Sequence, residues 1–392
     1  MGASSWSLGR IFGIEVRVHA TWLLTFGLLT WGLAGGYFRF VSGAPLLLGA
    51  ISALLLFGSV LVHELSHSLV AQARGMRVRD ITLFIFGGVS NLGGQPRTAR
   101  DEFLMAAAGP LTSFALAGLF WVATQAVGGT PTVGALFGSP RAVRTMSPPG
   151  AVLSYLAVVN LALGAFNLLP AFPLDGGRVF RSILWGLSHR YAKATVIASL
   201  VGQVFGFLLA GFGILRVVVF GDVVGGLWTM FIGWFLSQAA AASRRELRLR
   251  NTLHGVRVAE IMDRSPLVVE PELTVYQVVF DQLLRTGRRQ VVVARDGRAI
   301  GVVDAETVNG VPRDRWYMMR VGELMRPIAF AATPDTDVAE LLQRMDDRTT
   351  LVPVESEDRL VGVVDLAQIL RYARLRQELQ MPFSGRPARG QV

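Results

Sequence analysis

The sequence predicts a polytopic α-helical membrane domain followed by a soluble α/β domain. Hydrophobic residues make up 52% of the 392 residues and the mean hydropathy is +0.45, which is too apolar for an ordinary soluble protein of this length. The long apolar stretches end near residue 242. From about residue 251 the composition becomes that of a soluble domain, and an internal repeat begins there.

Six apolar stretches predict membrane-spanning helices, because about 20 consecutive apolar residues are needed to cross the hydrocarbon core. We place them near Ala20–Phe38, Ala44–Val70, Glu102–Val127, Gly150–Pro170, Ala192–Phe220 and Val223–Ala242. The first follows a polar-rich lead, residues 1–19, and we expect it to remain in the protein as an anchor.

The net charge of +10 is distributed unevenly across the predicted membrane. One side carries Arg10, Arg17, Arg74, Arg77, Arg79, Arg97, Arg100, Arg178, Arg181, Arg190, Lys193, Arg244, Arg245, Arg248 and Arg250, and the other carries Arg39, Arg141 and Arg144. Because cytoplasmic loops carry the basic excess, we expect a multi-pass protein of the cell membrane with both termini in the cytoplasm. The charge then reflects topology and contact with the lipid bilayer, and no direct nucleic acid binding is expected.

The most informative motif is HELSH at residues 63–67, which follows the uncharged stretch Ala44–Val62. His63 and His67 are four residues apart, so they lie on one helical face and can bind one Zn²⁺ together. Glu64 can then act as a base towards water at the metal. Such groups are costly in hydrocarbon without a partner, which favours a metal site over a chance occurrence of the pattern. The chain has no cysteine, so histidine and carboxylate must supply the ligands.

Two histidines do not complete a catalytic zinc site, and Asp175 is the best candidate for a third ligand. Prolines at 170 and 173 stop or kink the preceding helix, and glycines at 176 and 177 permit close backbone approach. The second and fourth predicted spans end on the same side of the membrane, so Asp175 can meet the histidines at a similar depth. Alternatively, Asp175 caps the following segment and pairs with Arg178. Gly109 in the third span is interpreted as a packing residue.

These segments resemble the site-2 proteases, a family of intramembrane zinc metalloproteases. The resemblance covers LGRIFGIEVRVHATWLL at 8–24, HELSH at 63–67, FGGVSNLGG at 86–94, AAAGPLTS at 106–113 and NLLPAFPLDGG at 167–177. It implies one Zn²⁺ per chain, bound by His63, His67 and Asp175, with Glu64 as the catalytic acid/base. Zn²⁺ lowers the pKa of a bound water to about 7, and Glu64 would take its proton and return one to the leaving amine. Membrane-spanning proteins, such as membrane-tethered transcription regulators, are the implied substrates.

Asn167 is a further candidate at the catalytic centre. It precedes Asp175 by two helical turns on roughly the same predicted face, and it resembles the motif asparagine of the family. Its amide could hydrogen-bond the substrate backbone or a developing oxyanion. A helix–helix hydrogen bond within the bundle is the alternative.

Residues 78–91 are rich in β-forming residues and are too short to cross the bilayer and return as helices. The resemblance implies a re-entrant β-loop, whose exposed edge could capture an unwound substrate segment by β-augmentation. The candidate substrate-binding residues are Phe86, Gly87, Gly88, Val89 and Asn91. A cytoplasmic hairpin with a structural role is the alternative.

The C-terminal repeat resembles a tandem pair of CBS domains. RVAEIM at 257–262 matches RVGELM at 320–325, and GVVD at 301–304 matches GVVD at 362–365. We therefore divide the chain into a metalloprotease domain at 1–243, a linker at 244–256, CBS repeats at 257–312 and 320–378, and a disordered tail at 379–392.

Many CBS pairs bind adenine nucleotides, but the residues at two positions argue against it here. The family's ribose-binding pattern is G-x-x-[ST]-x-x-D; Asp304 and Asp365 occupy the Ser/Thr position, and Thr307 and Gln368 replace the aspartate. The acceptor for the ribose hydroxyls is lost, and the two carboxylates would repel phosphates. We expect the pair to mediate a homodimer or to contact the cytoplasmic part of a substrate.

The sequence thus predicts a zinc-dependent intramembrane endopeptidase that acts in regulated intramembrane proteolysis. A CBS-regulated channel or transporter is the alternative from another class, and it would place charged groups in several spans. A catalytically inactive scaffold that binds membrane helices is a third interpretation, which the complete set of His63, Glu64, His67 and Asp175 argues against.

Overall fold

The structure, a computed structural model, describes residues 5–85, 87–92, 94, 96–129, 146–345 and 349–379. The chain separates into two compact units, Met1–Leu247 and Arg248–Val392. The border lies within a helix that ends at Leu253, so most of the segment predicted as a linker is helical. The predicted disordered tail lies outside the described residues from residue 380 onwards.

The described part of the first unit contains seven α-helices. They are α1 (Thr21–Gly35), α2 (Pro45–Ala73), α3 (Ala99–Ala126), α4 (Pro148–Asn167), α5 (Asp175–Ser188), α6 (Tyr191–Phe220) and α7 (Val223–Leu253). Within the described ranges, five of them (α2, α3, α4, α6 and α7) are long and apolar enough to cross a membrane. Helix α1 has 15 residues and is therefore about 22 Å long, shorter than a hydrocarbon core of about 30 Å. The first predicted span is thus a shorter helix than expected.

The polar lead predicted before α1 forms a β-hairpin. Its strands are β1 (Ser5–Ile11) and β2 (Ile14–His19), which pair antiparallel. Strand β2 alternates buried apolar residues with partly exposed ones, the pattern of a strand with one covered face.

The segment predicted as a β-loop forms the second half of the same sheet. Strand β3 (Val78–Phe84) runs parallel to β2 and pairs antiparallel with β4 (Gly87–Leu92). The strand order is β1-β2-β3-β4, so β4 is an edge strand. The depth of this sheet in a membrane stays a prediction.

A turn at residues 168–174 separates α4 from α5. Helix α5 packs closely against this turn because Gly176 has no side chain: a Cβ there would overlap the carbonyl oxygen of Leu168. The expectation that Asn167 and Asp175 lie two turns apart on one helical face is wrong, since α4 ends at Asn167 and α5 begins at Asp175. The prolines in the turn prevent one continuous helix.

The second unit repeats one order of elements twice, as the internal sequence repeat predicts. The first copy contains α8 (Val258–Ile261), β5 (Val268–Val269), α9 (Val275–Gln277, continued by a π-helix to Leu284), β6 (Gln290–Arg295), β7 (Arg298–Asp304) and α10 (Ala305–Asn309). The second contains α11 (Val321–Leu324), β8 (Arg326–Pro327), α12 (Val338–Arg344), β9 (Leu351–Ser356), β10 (Arg359–Asp365) and α13 (Leu366–Glu378). Two clusters of buried side chains form the core of this unit, and they join the copies: Val258 and Ile261 of α8 pack in the cluster of the second copy, and Val321 of α11 packs in that of the first.

Candidate metal centre

The three side chains predicted as metal ligands converge in the first unit. The Nε2 atoms of His63 and His67 lie 3.2 Å apart. Oδ2 of Asp175 lies 3.2 Å from Nε2 of His63 and 3.1 Å from Nε2 of His67. Both histidines are buried and Asp175 is half-buried, and together they form a group that could hold one metal ion.

Two helices supply these three side chains. His63 and His67 project from one face of α2, as the helical period requires. Asp175 is the first residue of α5, where the turn at 168–174 has redirected the chain. Its carboxylate makes no cap on α5, and its ion-pair partners among the described residues are the two imidazoles. This geometry does not support the alternative in which Asp175 caps α5 and pairs with Arg178.

Helix α3 binds the other nitrogen of each imidazole. Nδ1 of His67 donates a hydrogen bond of 2.6 Å to the carbonyl oxygen of Met105. Because a carbonyl can only accept, this Nδ1 carries the proton and, in the neutral ring, Nε2 presents a lone pair towards Asp175. Nδ1 of His63 lies 2.8 Å from the hydroxyl oxygen of Ser113. Neither contact was predicted. A backbone carbonyl carries no sequence signature, and the contact of Ser113 depends on how α3 packs against α2.

The spacing of the donor atoms fits a zinc ion. Bonds of about 2.0–2.2 Å around a tetrahedral zinc place neighbouring ligand atoms about 3.3 Å apart. The distances of 3.1–3.2 Å among the two Nε2 atoms and Oδ2 are close to this value. Two imidazole nitrogens and one carboxylate oxygen are also a donor set that catalytic zinc sites use.

Gly109 of α3 faces the same donor atoms. A Cβ at this position would overlap Nε2 of His67 and lie 2.5 Å from Nε2 of His63. The interpretation of Gly109 as a packing residue is therefore too narrow. Its missing side chain lets α3 approach the two Nε2 atoms without a clash.

Glu64 lies beside His63 on α2 and contacts strand β4. Its Oε2 accepts a hydrogen bond of 2.9 Å from the hydroxyl of Ser90. Gly88, two residues earlier on β4, packs on the aliphatic stem: a Cβ there would lie 2.5 Å from Cγ of Glu64. Strand β4 thus contacts both the carboxylate and the stem of Glu64.

The predicted substrate-binding residues fall on this strand, except one. Gly87, Gly88, Val89 and Asn91 belong to β4, whereas Phe86 lies outside the described residues. Val89 is exposed, and Nδ2 of Asn91 donates 2.9 Å to the carboxylate of Asp80 on β3. Ser90, between two predicted residues, was missed, although its hydroxyl is the group that reaches Glu64.

Asn167 makes a hydrogen bond within its own helix. Its Nδ2 donates 3.1 Å to the carbonyl oxygen of Leu163, one turn earlier on α4. This contact differs from both expected ones, the helix–helix bond and the bond to substrate. A role towards substrate stays a prediction.

In the second unit, Asp304 is neutralised within the fold. Its Oδ1 accepts hydrogen bonds from the N–H and the hydroxyl of Thr307, at 2.7 and 2.6 Å, and its Oδ2 pairs with Arg326. Burial opposes ionisation, but the Thr307 donors and the nearby Arg326 charge hold the pKa of Asp304 below its ordinary value.

Asp365 occupies the equivalent position in the second repeat. It accepts a hydrogen bond of 2.5 Å from the N–H of Gln368 and caps α13. The side chain of Gln368 in turn donates to the carbonyl oxygen of Ile261. Both residues thus have partners inside the unit, and the expected weakness of nucleotide binding stays a prediction.

The chain matches Peptidase family M50 over residues 51–149 and 141–211, and the CBS domain over residues 258–309 and 321–375. Rip3 of Mycobacterium tuberculosis is 36% identical over 383 residues, which cover 94% of this chain and 94% of Rip3. The zinc metalloprotease MJ0392 of Methanocaldococcus jannaschii is 27% identical over 383 residues, which cover 95% of this chain and 98% of that protein.

A solved structure of the site-2 protease from Methanocaldococcus jannaschii is also similar, with 30% sequence identity and a TM-score of 0.42. The similarity covers 62% of this chain and 95% of that one. The match to Rip3 extends over nearly the whole sequence, and the M50 match contains the HELSH motif and Asp175. The chain accordingly belongs to peptidase family M50, as a metalloendopeptidase of the site-2 type that carries a C-terminal pair of CBS domains.

Proposed function

We propose that the protein hydrolyses peptide bonds within the transmembrane segments of membrane-anchored substrates, with one Zn²⁺ per chain bound by His63, His67 and Asp175. The observation that carries this proposal is the convergence of the two Nε2 atoms and Oδ2 within 3.2 Å of one another beside Glu64. His63, Glu64 and His67 lie on α2, which is long and apolar enough to cross a membrane, and Asp175 begins α5 directly after the turn that follows apolar helix α4, so the site suits a substrate that is itself in the membrane.

His63, His67 and Asp175 would hold the zinc, which when bound would supply a Lewis acid for the peptide carbonyl and for water. Glu64 would accept a proton from the attacking water on Oε1, since its Oε2 already accepts the bond from Ser90. Glu64 would then return a proton to the nitrogen of the leaving peptide. Met105 and Ser113 keep the imidazoles oriented so that each Nε2 faces Asp175.

A transmembrane substrate must unwind before this chemistry, because a helix hides its peptide bonds. Strand β4 is an edge of the sheet and lies against Glu64, so an extended segment added along 87–91 would run beside the catalytic acid/base. Residues Gly87, Gly88 and Val89 then offer backbone groups to the substrate. Recognition through the backbone suits substrates of varied sequence.

We further infer the setting of the enzyme from its charges. The positive-inside bias supports a multi-pass protein of the cell membrane with both termini in the cytoplasm. Membrane-tethered transcription regulators fit the substrate class. The CBS pair would join two chains or contact a substrate's cytoplasmic part, and we assign it no nucleotide.

The test is cleavage of a single-span reporter by the full chain reconstituted in liposomes, with zinc measured in each variant. Glu64→Gln should keep about one zinc per chain and lower kcat by roughly 10²–10⁴, because only the proton acceptor is lost. Asp175→Asn should lose both zinc and cleavage. Asp335→Asn, an exposed carboxylate of the second unit, serves as the control. Equal cleavage by the wild type, Glu64→Gln and Asp175→Asn would overturn the proposal and favour a channel or scaffold.

A further inference from the structure

The hydroxyl of Ser90 lies between two residues of α2. Ser68 Oγ donates a hydrogen bond of 3.1 Å to Ser90 Oγ, and Ser90 Oγ donates one of 2.9 Å to Oε2 of Glu64. Glu64 and Ser68 are four residues apart, so they lie on one face of α2. Strand β4 is therefore attached to this face at two points by one side chain.

These bonds favour one position of the hydroxyl proton of Ser90, because Oε2 of Glu64 at 2.9 Å is a closer acceptor than the carbonyl oxygen of Glu64 at 3.4 Å. A serine hydroxyl has a single proton and two lone pairs. When Ser68 donates its proton to Ser90, the proton of Ser90 stays available for the Glu64 carboxylate, which can only accept while it is ionised. Ser68 is fully buried, so its own proton is not diverted to bulk water.

The backbone of β4 restrains the same side chain. Gly88 packs on Cγ of Glu64, on the strand face that also carries Ser90. Ser90 also pairs in register with Ile81 of the neighbouring strand β3. A shift of β4 relative to α2 would thus displace both the carboxylate and the aliphatic stem of Glu64.

We propose that Ser90 and Ser68 are positioning residues that hold the Glu64 carboxylate to the edge strand, so that a substrate strand bound along β4 also sets the orientation of the acid/base. This rests on the proposed function of the site. Ser90 acts directly on Glu64, whereas Ser68 acts through Ser90. Substrate capture and alignment of the acid/base thereby share one structural element.

The experiment measures kcat and KM for the single-span reporter with the full chain in liposomes, together with zinc content. Ser90→Ala should lower kcat roughly tenfold or more, because a misoriented group loses much of its effect, while KM and zinc stay near the wild-type values. Ser90→Thr keeps the hydroxyl and should restore most of kcat. Ser182→Ala is the control, since that buried hydroxyl donates only to Val179 of its own helix.

A double-mutant cycle separates a positioning role from a packing role. Ser68→Ala should lower kcat less than Ser90→Ala, and the double variant should match Ser90→Ala alone, because Ser68 acts through Ser90. Additive losses, a change confined to KM, or equal kcat in Ser90→Ala and wild type would overturn the inference. If Glu64→Gln is inactive while Ser90→Ala is unaffected, only this inference fails. If Glu64→Gln cleaves normally, the proposed function fails first.

Discussion

Buried carboxylates are treated differently in the two units of the molecule. In the second unit, Asp304 is paired with Arg326 and capped by Thr307, which neutralises its charge inside the fold. In the first unit, Asp175 faces two imidazoles and Glu64 faces a hydroxyl, and neither pairs with arginine or lysine among the described residues. A buried carboxylate without a cationic partner is costly, so these two acids are suited to bind a metal cation or to accept a proton during the reaction.

The first unit can also neutralise a buried acid when the role is structural. Glu102 of α3 is fully buried and accepts a hydrogen bond of 2.8 Å from Nε of Arg181 on α5. The Arg181 guanidinium lies 4.9 Å from the ring centres of both Phe172 and Tyr191. The pair joins the helix that orients the histidines to the helix that carries Asp175. Within the described residues, an arginine partner thus separates Asp304 and Glu102 from Asp175 and Glu64, the two acids proposed to be reactive.

The largest expected effect comes from a steric clash at the two Nε2 donor atoms that leaves every ligand unchanged. Gly109→Ala places a methyl group where the two Nε2 atoms converge, so zinc occupancy should fall from about one per chain to near zero and cleavage should stop. Zinc analysis of the purified full chain measures this. Gly118→Ala, on the same helix with open space around it, is the matched control and should retain zinc. A zinc content in Gly109→Ala equal to that of the wild type would show that the ion does not lie beside Gly109.

A second prediction tests whether Glu102 is structural. Glu102→Gln leaves Arg181 buried without its counter-charge and should destabilise the protein by roughly 3–5 kcal/mol. Adding Arg181→Met removes the unpaired charge and should recover much of that loss. Thermal unfolding of the full chain in detergent compares the variants. Loss of zinc from Glu102→Gln at temperatures where it stays folded would place this carboxylate with the reactive ones and break the comparison.

The smallest effect is expected in the second unit. Asp304→Asn keeps a capping side chain but removes the charge that faces Arg326, so it should cost roughly 0.2–1 kcal/mol, with zinc content and cleavage unchanged. Because folding lowers the pKa of Asp304, its ionised form contributes stability above the unfolded pKa of about 3.9, and this contribution is lost as the pH falls through the folded value. Hydrogen exchange at the Thr307 amide, followed below pH 5, should show this loss in the wild type only. The same pH dependence of exchange in Asp304→Asn as in the wild type would contradict the stabilising role of the ionised Asp304.

Much of the site could be predicted because it depends on local patterns. The helical period alone puts His63 and His67 on one face. The prolines and glycines around Asp175 signal a chain reversal, and the structure has a turn at that place. The same rules misled where a helix was extended across a proline, which placed Asn167 and Asp175 on one helix. No strand was predicted in the polar lead, because β2 becomes recognisable only when the distant strand β3 lies beside it.

By itself, the sequence determined the donor set, the apolar helices around it and the repeated order of the second unit. Only the tertiary structure decided what surrounds the donors: the Met105 carbonyl, the Ser113 hydroxyl, the close approach of Gly109 and the bond from Ser90 to Glu64. Periodicity relates residues on one element, whereas these contacts join α2 to α3 and to β4. They depend on how distant segments pack, and a backbone carbonyl or a missing side chain leaves no chemical signature in the sequence.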